Sequence, residues 1–137
     1  MHMYKNPTGI TRLAIAFVWI YLAASTIAAV LLLYLFRTEA LIDPATLMAV
    51  GIGQMVLAAL MIAATAVVGT WIYRVSANAH ALSDEMTISP GWAVGWYFVP
   101  IANLFKPFQA MKEAWLASHF RGNWNGEPTP GLLGWWW

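Results

Sequence analysis

Two long apolar runs dominate the first half of the chain, and neither contains a charged side chain. They extend over residues 13–36 and 47–73. An α-helix rises about 1.5 Å per residue, so each run is long enough to cross a hydrocarbon core of about 30 Å. The pattern therefore predicts two membrane-spanning helices, preceded by an N-terminal tail at residues 1–12.

A cleaved signal peptide is the alternative explanation for the first run. The apolar region of a signal peptide normally has about 7–15 residues. Here the run continues well beyond Ala23, Ala24 and Ser25, which are the small residues best suited to cleavage. The length of the run favours a membrane helix.

A short polar connection at residues 37–46 joins the two runs and predicts an antiparallel hairpin. Pro44 suits the first turn of the second helix, where its missing N–H needs no partner, and Asp43 suits the N-cap. Both runs carry small residues four positions apart, which would let the two backbones approach closely in lipid. These pairs are Ala24 and Ala28, Ser25 and Ala29, Ala49 and Gly53, and Ala59 and Ala63.

Gln54 is the one strongly polar side chain within either run. It would serve either as a contact for a substrate or ion, or as one partner of a hydrogen bond between helices, worth about 1 kcal/mol. The second role is the simpler of the two.

After the second run the chain becomes polar and then apolar again. Residues 74–90 predict a polar extension of the second helix and a loop. The next apolar run, from Trp92 to Phe105, has only about 14 residues and is interrupted by Pro100, so it is too short for a regular span. We expect residues 91–120 to contain a broken segment, which lies in the membrane interface or re-enters the membrane, and then a helix.

Four residues of this stretch are candidates for structural or interaction roles. Trp92 and Trp96 suit the boundary between membrane and water, where amphipathic rings are enriched. Pro90 and Pro100 restrict where regular helix can form, because proline lacks the backbone donor.

The second half of the stretch predicts an amphipathic helix that lies on the membrane surface. Asn103 would cap this helix, and Pro107 would occupy its first turn. One face would carry Leu104, Phe108, Met111 and Trp115, and the opposite face Lys106, Gln109, Lys112 and Glu113. Lys106 and Lys112 could bind anionic lipid headgroups, although anchoring by the positive-inside rule is the simpler explanation.

Residues 90–115, PGWAVGWYFVPIANLFKPFQAMKEAW, resemble the signature of an uncharacterised bacterial membrane family, domain of unknown function 4328. Residues 71–80, WIYRVSANAH, are similar to the family's preceding segment, and the two N-terminal helices fit its layout. The resemblance implies a multi-pass membrane protein and no particular activity. Members of the family continue from a Trp-rich segment such as residues 132–137 into further membrane helices. We therefore expect residues 121–137 to be a loop and the start of a further helix that this chain lacks.

Composition supports lipid as the natural solvent of much of the chain. Hydrophobic residues make up 61% of the sequence and charged residues 9%, whereas a soluble domain has about 25% charged residues. A net charge of +1 argues against a nucleic-acid partner, which would need a concentrated basic surface. The sequence contains no cysteine, which excludes disulfides, thiolate catalysis and cysteine-bound metals.

The basic residues favour a cytoplasmic location for both ends of the chain. The connection contains only Arg37, which Glu39 and Asp43 oppose. The other basic side chains precede or follow the hairpin: Lys5, Arg12, Arg74, Lys106, Lys112 and Arg121. This bias places residues 37–46 outside a bacterial cytoplasmic (inner) membrane.

Few residues have the pattern of a chemical site. His80, Asp84 and Glu85 could gather a metal ion on one side of a helix, but a solvated polar edge explains them better. The sequence contains no HExxH, no Gly-rich phosphate loop and no GxSxG. We therefore expect no enzyme activity, no cofactor and no metal.

Two classes of function remain. The leading hypothesis is a non-enzymatic membrane scaffold or interaction component, whose partners are the lipid bilayer and other membrane helices or a second copy. The alternative is a small transporter or channel component with a polar path near Gln54 and Asn103. The absence of a charged side chain in either run weakens this alternative, because transport paths usually contain one.

Overall fold

The computed structural model describes residues 4, 6–39, 43–120 and 127–136, which contain α-helices and 3₁₀ turns and no strand. The α-helices are α1 (Thr8–Arg37), α2 (Pro44–Leu82), α3 (Pro90–Gly95), α4 (Lys106–His119) and α5 (Gly131–Trp136). Two 3₁₀ turns, Trp96–Phe98 and Ala102–Leu104, lie between α3 and α4. The predicted all-α class is confirmed.

The chain divides into two compact units within α2. The hairpin unit comprises Gly9–Val68, and the second unit comprises the residues up to Thr8 together with the chain from Gly69. Helix α2 therefore contributes to both units, up to Val68 in the hairpin unit and from Gly69 in the second unit.

The hairpin unit contains two helices that are long and apolar enough to cross a membrane. Helix α1 has 30 residues and α2 has 39, and their most apolar windows have mean hydropathies of 2.3 and 2.2. None of the α1 window and only 6% of the α2 window is buried. Large side chains such as Ile27 and Met55 are 69% and 75% exposed. These helices therefore present apolar surface on nearly every side.

The two helices of the hairpin unit run antiparallel, as the short connection predicts. Leu35, near the end of α1, lines the same cavity as Thr46, near the start of α2. Tyr21, earlier in α1, lines a second cavity with Met61, later in α2. Only an antiparallel register brings both pairs of positions together.

The small residues of the hairpin do not all permit the close approach that their spacing predicts. Ala24, Ala28, Ala49 and Gly53 line one cavity of about 560 Å³ between the helices. A Cβ atom built on Gly53 would meet nothing within 4 Å. The expectation of close packing is therefore wrong at Gly53, where a gap and not a backbone contact lies beside the glycine.

The start of α2 is capped by Asp43, as predicted. The backbone N–H and the hydroxyl of Thr46 both donate to Oδ2 of Asp43, each at 2.9 Å. These hydrogen bonds, first the one from the backbone and then the one from the hydroxyl, hold the pKa of Asp43 below its usual value. Pro44 follows as the first residue of α2.

The start of α4 differs from the prediction. The helix begins at Lys106 after Phe105, and Asn103 lies in the second 3₁₀ turn, where its N–H donates to the carbonyl of Val99 at 2.8 Å. A helix capped by Asn103 would place Pro107 at its fourth position, where the ring meets the carbonyl four residues earlier and no N–H is available to bond it. Starting at Lys106 puts Pro107 in the first turn, where no donor is needed.

The core of the second unit consists mainly of alanine. One cluster joins Ala79 of α2 to Ala114, Leu116 and Ala117 of α4. Another joins Ile88, Ala93 of α3 and Ala110 of α4, with Ile72 and Trp96 packed against it. Because these side chains are small, α3 and α4 lie close to the last turns of α2.

Two predicted features, the basic residues that flank the hairpin and the loop that begins at residue 121, lie partly outside the described residues. Lys5 and Arg121 are not described, nor are residues 40–42, 121–126 and 137. Of the predicted loop, residues 127–130 are described and have no regular secondary structure. Helix α5 follows with six residues.

Candidate functional site

The proline–tryptophan segment, residues 90–105, folds into α3 and the two 3₁₀ turns. Pro90 lies in the first turn of α3 and is buried. The rings of Trp92 and Trp96 stack with their centroids 4.5 Å apart. A Cβ atom on Gly95 would lie 3.2 Å from Cε3 of Trp92, so a larger residue would displace the ring. The segment is thus built from helical turns and is not an irregular loop.

A buried carboxylate joins this segment to α4. Glu113 is only 8% exposed. Its Oε2 accepts the N–H of Thr87 at 2.9 Å and the N–H of Ile88 at 3.2 Å, and its Oε1 accepts the hydroxyl of Thr87. Both N–H groups belong to the loop that immediately precedes α3. The carboxylate therefore fixes the position from which α3 starts.

Two further side chains of α4 extend this cluster, which we call the Glu113 network (Thr87, Ile88, Lys106, Gln109 and Glu113). The amide nitrogen of Gln109 donates to Oε1 of Glu113 at 3.0 Å. The ammonium of Lys106 donates to Oε1 of Gln109 at 3.1 Å. A buried carboxylate is costly unless it is hydrogen-bonded, and four donors satisfy this one.

The far end of the segment exposes large apolar side chains. Phe98, Ile101 and Leu104 are 73%, 76% and 70% exposed, and Phe105 is 52% exposed. We call these four residues the apolar tip. Pro100 lies among them and is also exposed. The segment is therefore anchored by polar contacts at its start and presents apolar surface at its end.

A family model matches residues 38–137, well over half of the chain, and its description is "Domain of unknown function (DUF4328)". The chain belongs to this family. Comparison with curated proteins and comparison with solved structures each find no match.

The DUF4328 match includes the connection, α2, the segment and α4, and it begins after α1. The resemblance predicted from residues 71–80 and 90–115 is confirmed. Both the Glu113 network and the apolar tip lie within the matched residues.

The orientation of α4 within the DUF4328 region differs from the amphipathic prediction. Glu113 was expected on the polar, outward side with Lys106 and Gln109, but these three side chains meet in the Glu113 network. The buried face instead consists of Pro107, Ala110, Glu113, Ala114, Leu116 and Ala117. Leu104 precedes the helix, and Phe108, Met111 and Trp115 are only partly buried.

A sequence signal for this buried face exists but is easily overlooked. Ala110, Ala114 and Ala117 recur at helical spacing, and small residues at that spacing indicate close packing between helices. The partners of Glu113 have no such signal, because Thr87 and Ile88 lie 26 and 25 residues away in the sequence.

The remaining predicted residues of this DUF4328 protein belong to different units of the chain. Gln54 is exposed on α2 in the hairpin unit, and Asn103 belongs to the second unit. Trp115 stacks on His119, with centroids 4.1 Å apart, and meets the edge of Phe120 at 6.2 Å.

His80, Asp84 and Glu85, for which the sequence favoured a solvated polar edge over a metal site, do not share one helix face. Helix α2 ends at Leu82, so Asp84 and Glu85 do not continue its face. His80 instead places Nδ1 2.9 Å from the carbonyl oxygen of Ser76, to which it donates. Within the described part of the chain, no group of three metal-binding side chains is present.

Proposed function

We propose that this protein is a non-enzymatic, multi-pass component of the bacterial cytoplasmic membrane that presents its apolar tip to a helix of a protein partner. The observation that carries this proposal is the exposure of Phe98, Ile101 and Leu104 on a segment whose other end is fixed by the Glu113 network. A mobile loop would lose conformational entropy on binding, whereas a fixed one loses less.

The membrane location is supported by the two long helices. Helices in the core of a soluble protein are mostly buried, but the apolar windows of α1 and α2 are almost wholly exposed. Contiguous apolar surface of this extent is rare on soluble monomers. Lipid accommodates it without cost, and the Lys and Arg bias favours a cytoplasmic position for the N-terminus and the second unit.

Crosslinking in native membranes tests the interaction. A photoreactive amino acid at Ile101, which is 76% exposed, is compared with the same amino acid at Ile27 of α1, which is 69% exposed. We expect discrete protein adducts at position 101 and only lipid adducts at position 27. Lipid adducts alone at both positions would show that the apolar tip meets only the bilayer and would refute the proposal.

A second candidate function follows from the surroundings of Gln54. This side chain lines the two cavities described above, and in the smaller one, of about 370 Å³, Tyr21 and Ser25 are also present. These three polar groups at the centre of the hairpin are the observation that favours a small transporter or channel component.

Thiol accessibility separates the two functions. The chain has no cysteine, so Gln54→Cys introduces a single thiol. A water-filled path predicts rapid reaction with a membrane-impermeant maleimide, while a lipid-facing position predicts none. Ile62→Cys, at a position in α2 that is 66% exposed, serves as the apolar control.

A further inference from the structure

An open groove of about 460 Å³ lies in the second unit, separate from the apolar tip. Its walls come from α2, α4, the N-terminal residues and α5. The largest contributing side chains are Trp71, Val75, Leu82, Met111, Trp115 and Leu133. The lining is almost entirely apolar, and the volume is in the range of pockets that hold small molecules.

The groove begins where the uncharged run of α2 ends. Trp71 and Val75 both line it, and in the sequence they precede and follow Arg74, the first charged residue of α2. Tryptophan is enriched at the level of lipid headgroups, and a second tryptophan, Trp115 of α4, also lines the groove. Given the membrane location proposed above, this end of the uncharged run is at the depth where acyl chains meet headgroups.

Each of the two main helices of the groove, α2 and α4, carries a basic residue close in sequence to its lining residues. Residues three or four positions apart are neighbours on a helix surface. Arg74, which is exposed, precedes the groove residue Asn78 by four positions, and Lys112 precedes Trp115 by three. An apolar lining on two helices that each carry a basic residue complements a molecule with a long apolar chain and an anionic head.

A peptide is a poor occupant of this groove. It would bring backbone N–H and C=O groups, which need hydrogen-bond partners when they are buried. Asn78 and Ser118 are the main polar side chains of the lining, and the Ser118 hydroxyl already donates to the carbonyl of Trp115 at 2.7 Å. An acyl chain requires no such partners.

We propose that the groove binds one acyl chain of an anionic phospholipid, whose phosphate lies against Arg74 and Lys112. The inference rests on the membrane location given under the proposed function and does not depend on the apolar tip. It assigns the second unit a lipid-recognition site in addition to its interaction surface.

Photolabelling of the full chain tests this site. The protein is reconstituted in phosphatidylcholine vesicles that contain a trace of phosphatidylglycerol with a photoreactive acyl chain. A parallel sample contains photoreactive phosphatidylcholine, and labelled residues are mapped by mass spectrometry. We expect phosphatidylglycerol to label Met111 and Trp115 more strongly than Ile27, which reports lipid around α1. Phosphatidylcholine should label the groove several-fold less.

Variants separate the headgroup from the acyl chain. Arg74→Gln should reduce groove labelling by phosphatidylglycerol about fivefold, because one basic residue near the surface contributes about 1 kcal/mol. Arg37→Gln, which changes an exposed arginine at the end of α1, should leave it unchanged. Ser118→Trp narrows the groove and should reduce labelling by both lipids, whereas Ala81→Trp, at an exposed position outside the lining, should not.

The outcomes separate this inference from the proposed function. Equal labelling of groove residues and Ile27, unchanged by Ser118→Trp, would show only annular lipid and overturn the acyl-chain site. Equal labelling by the two lipids would overturn the anionic preference. Labelling of the groove without labelling of Ile27 would contradict the membrane location of α1. In the crosslinking experiment, a loss of protein adducts at the apolar tip would count only against the proposed interaction with a partner.

Discussion

Removing the carboxylate of Glu113 is expected to release the start of α3 without unfolding the hairpin. In Glu113→Ala, the N–H of Ile88 loses its acceptor, and Ile88 is only 6% exposed, so water does not replace it readily. An unpartnered buried donor costs about 1–3 kcal/mol, and the hydrogen bond from the Thr87 N–H to a charged acceptor contributes about 1.5–3 kcal/mol. Together we expect a local destabilisation of about 3–5 kcal/mol.

Glu113→Gln is expected to cost less. The side-chain oxygen of the new glutamine can still accept hydrogen bonds from the two backbone N–H groups. Its side-chain nitrogen takes the place of Oε1, which accepts from the Thr87 hydroxyl and from Gln109. The Thr87 hydroxyl can rotate and accept from the new amide, but the Gln109 amide nitrogen then faces a second donor, so this hydrogen bond is lost together with the charge assistance of the others. We expect a destabilisation of about 1–2 kcal/mol.

Hydrogen exchange followed by mass spectrometry measures the effect where it occurs. Each 1.4 kcal/mol corresponds to about a tenfold change in an equilibrium constant. The peptide that contains Thr87 and Ile88 should therefore exchange at least about a hundredfold faster in Glu113→Ala and about tenfold faster in Glu113→Gln. Peptides from α1 should not change.

Glu85→Ala provides the matched control, because Glu85 lies in the same loop and is partly exposed. Surface substitutions of this kind usually change stability by less than about 0.5 kcal/mol. Equal exchange at residues 87–88 in Glu113→Ala and Glu85→Ala would refute the role assigned to the network. Faster exchange throughout the chain would instead indicate that Glu113 supports the whole protein and not the start of α3.

Two other predictions concern the connection and the topology. Because the folded-state pKa of Asp43 is lowered from 3.8, its cap should stabilise α2 above pH 3.8, and this stabilisation should be lost as the pH falls through the lowered pKa. Thr46→Ala should return the pKa of Asp43, measured by NMR, toward 3.8. An unchanged pKa in this variant would contradict the assignment of the cap. For a cytoplasmic N-terminus, single cysteines at Asn6 and Thr38 should differ in reaction with an impermeant thiol reagent on intact cells, with labelling only at Thr38; labelling only at Asn6 would reverse the topology.

Local features of this chain could be predicted from sequence because they depend on neighbouring residues. Asp43 and Pro44 specify a helix start by themselves, and Thr46 completes the cap three residues later. The long uncharged runs likewise specify α1 and α2, since length and composition suffice for such helices.

Features that depend on distant residues could not be predicted in the same way. The expected cap at Asn103 failed for a different and local reason, because Pro107, four residues later, excludes a regular helix from that start. The expected outward position of Glu113 failed because its partners lie in a loop more than 20 residues earlier. The charge of Glu113 suggested that its side chain faces water. Instead, the backbone N–H groups of residues 87 and 88 provide its hydrogen-bond donors.

The same physical requirement explains both carboxylates that contact the backbone in the described residues. Helix ends and breaks leave N–H groups without partners, and in a membrane protein, as proposed here, water cannot always supply them. At the exposed connection, Asp43 satisfies one such group, that of Thr46. At the break before α3, Glu113 satisfies two and must be buried to reach them. Helix α4 therefore turns a charged residue inward and leaves Phe108 at the partly exposed side, an arrangement that is unfavourable in water but has little cost beside lipid.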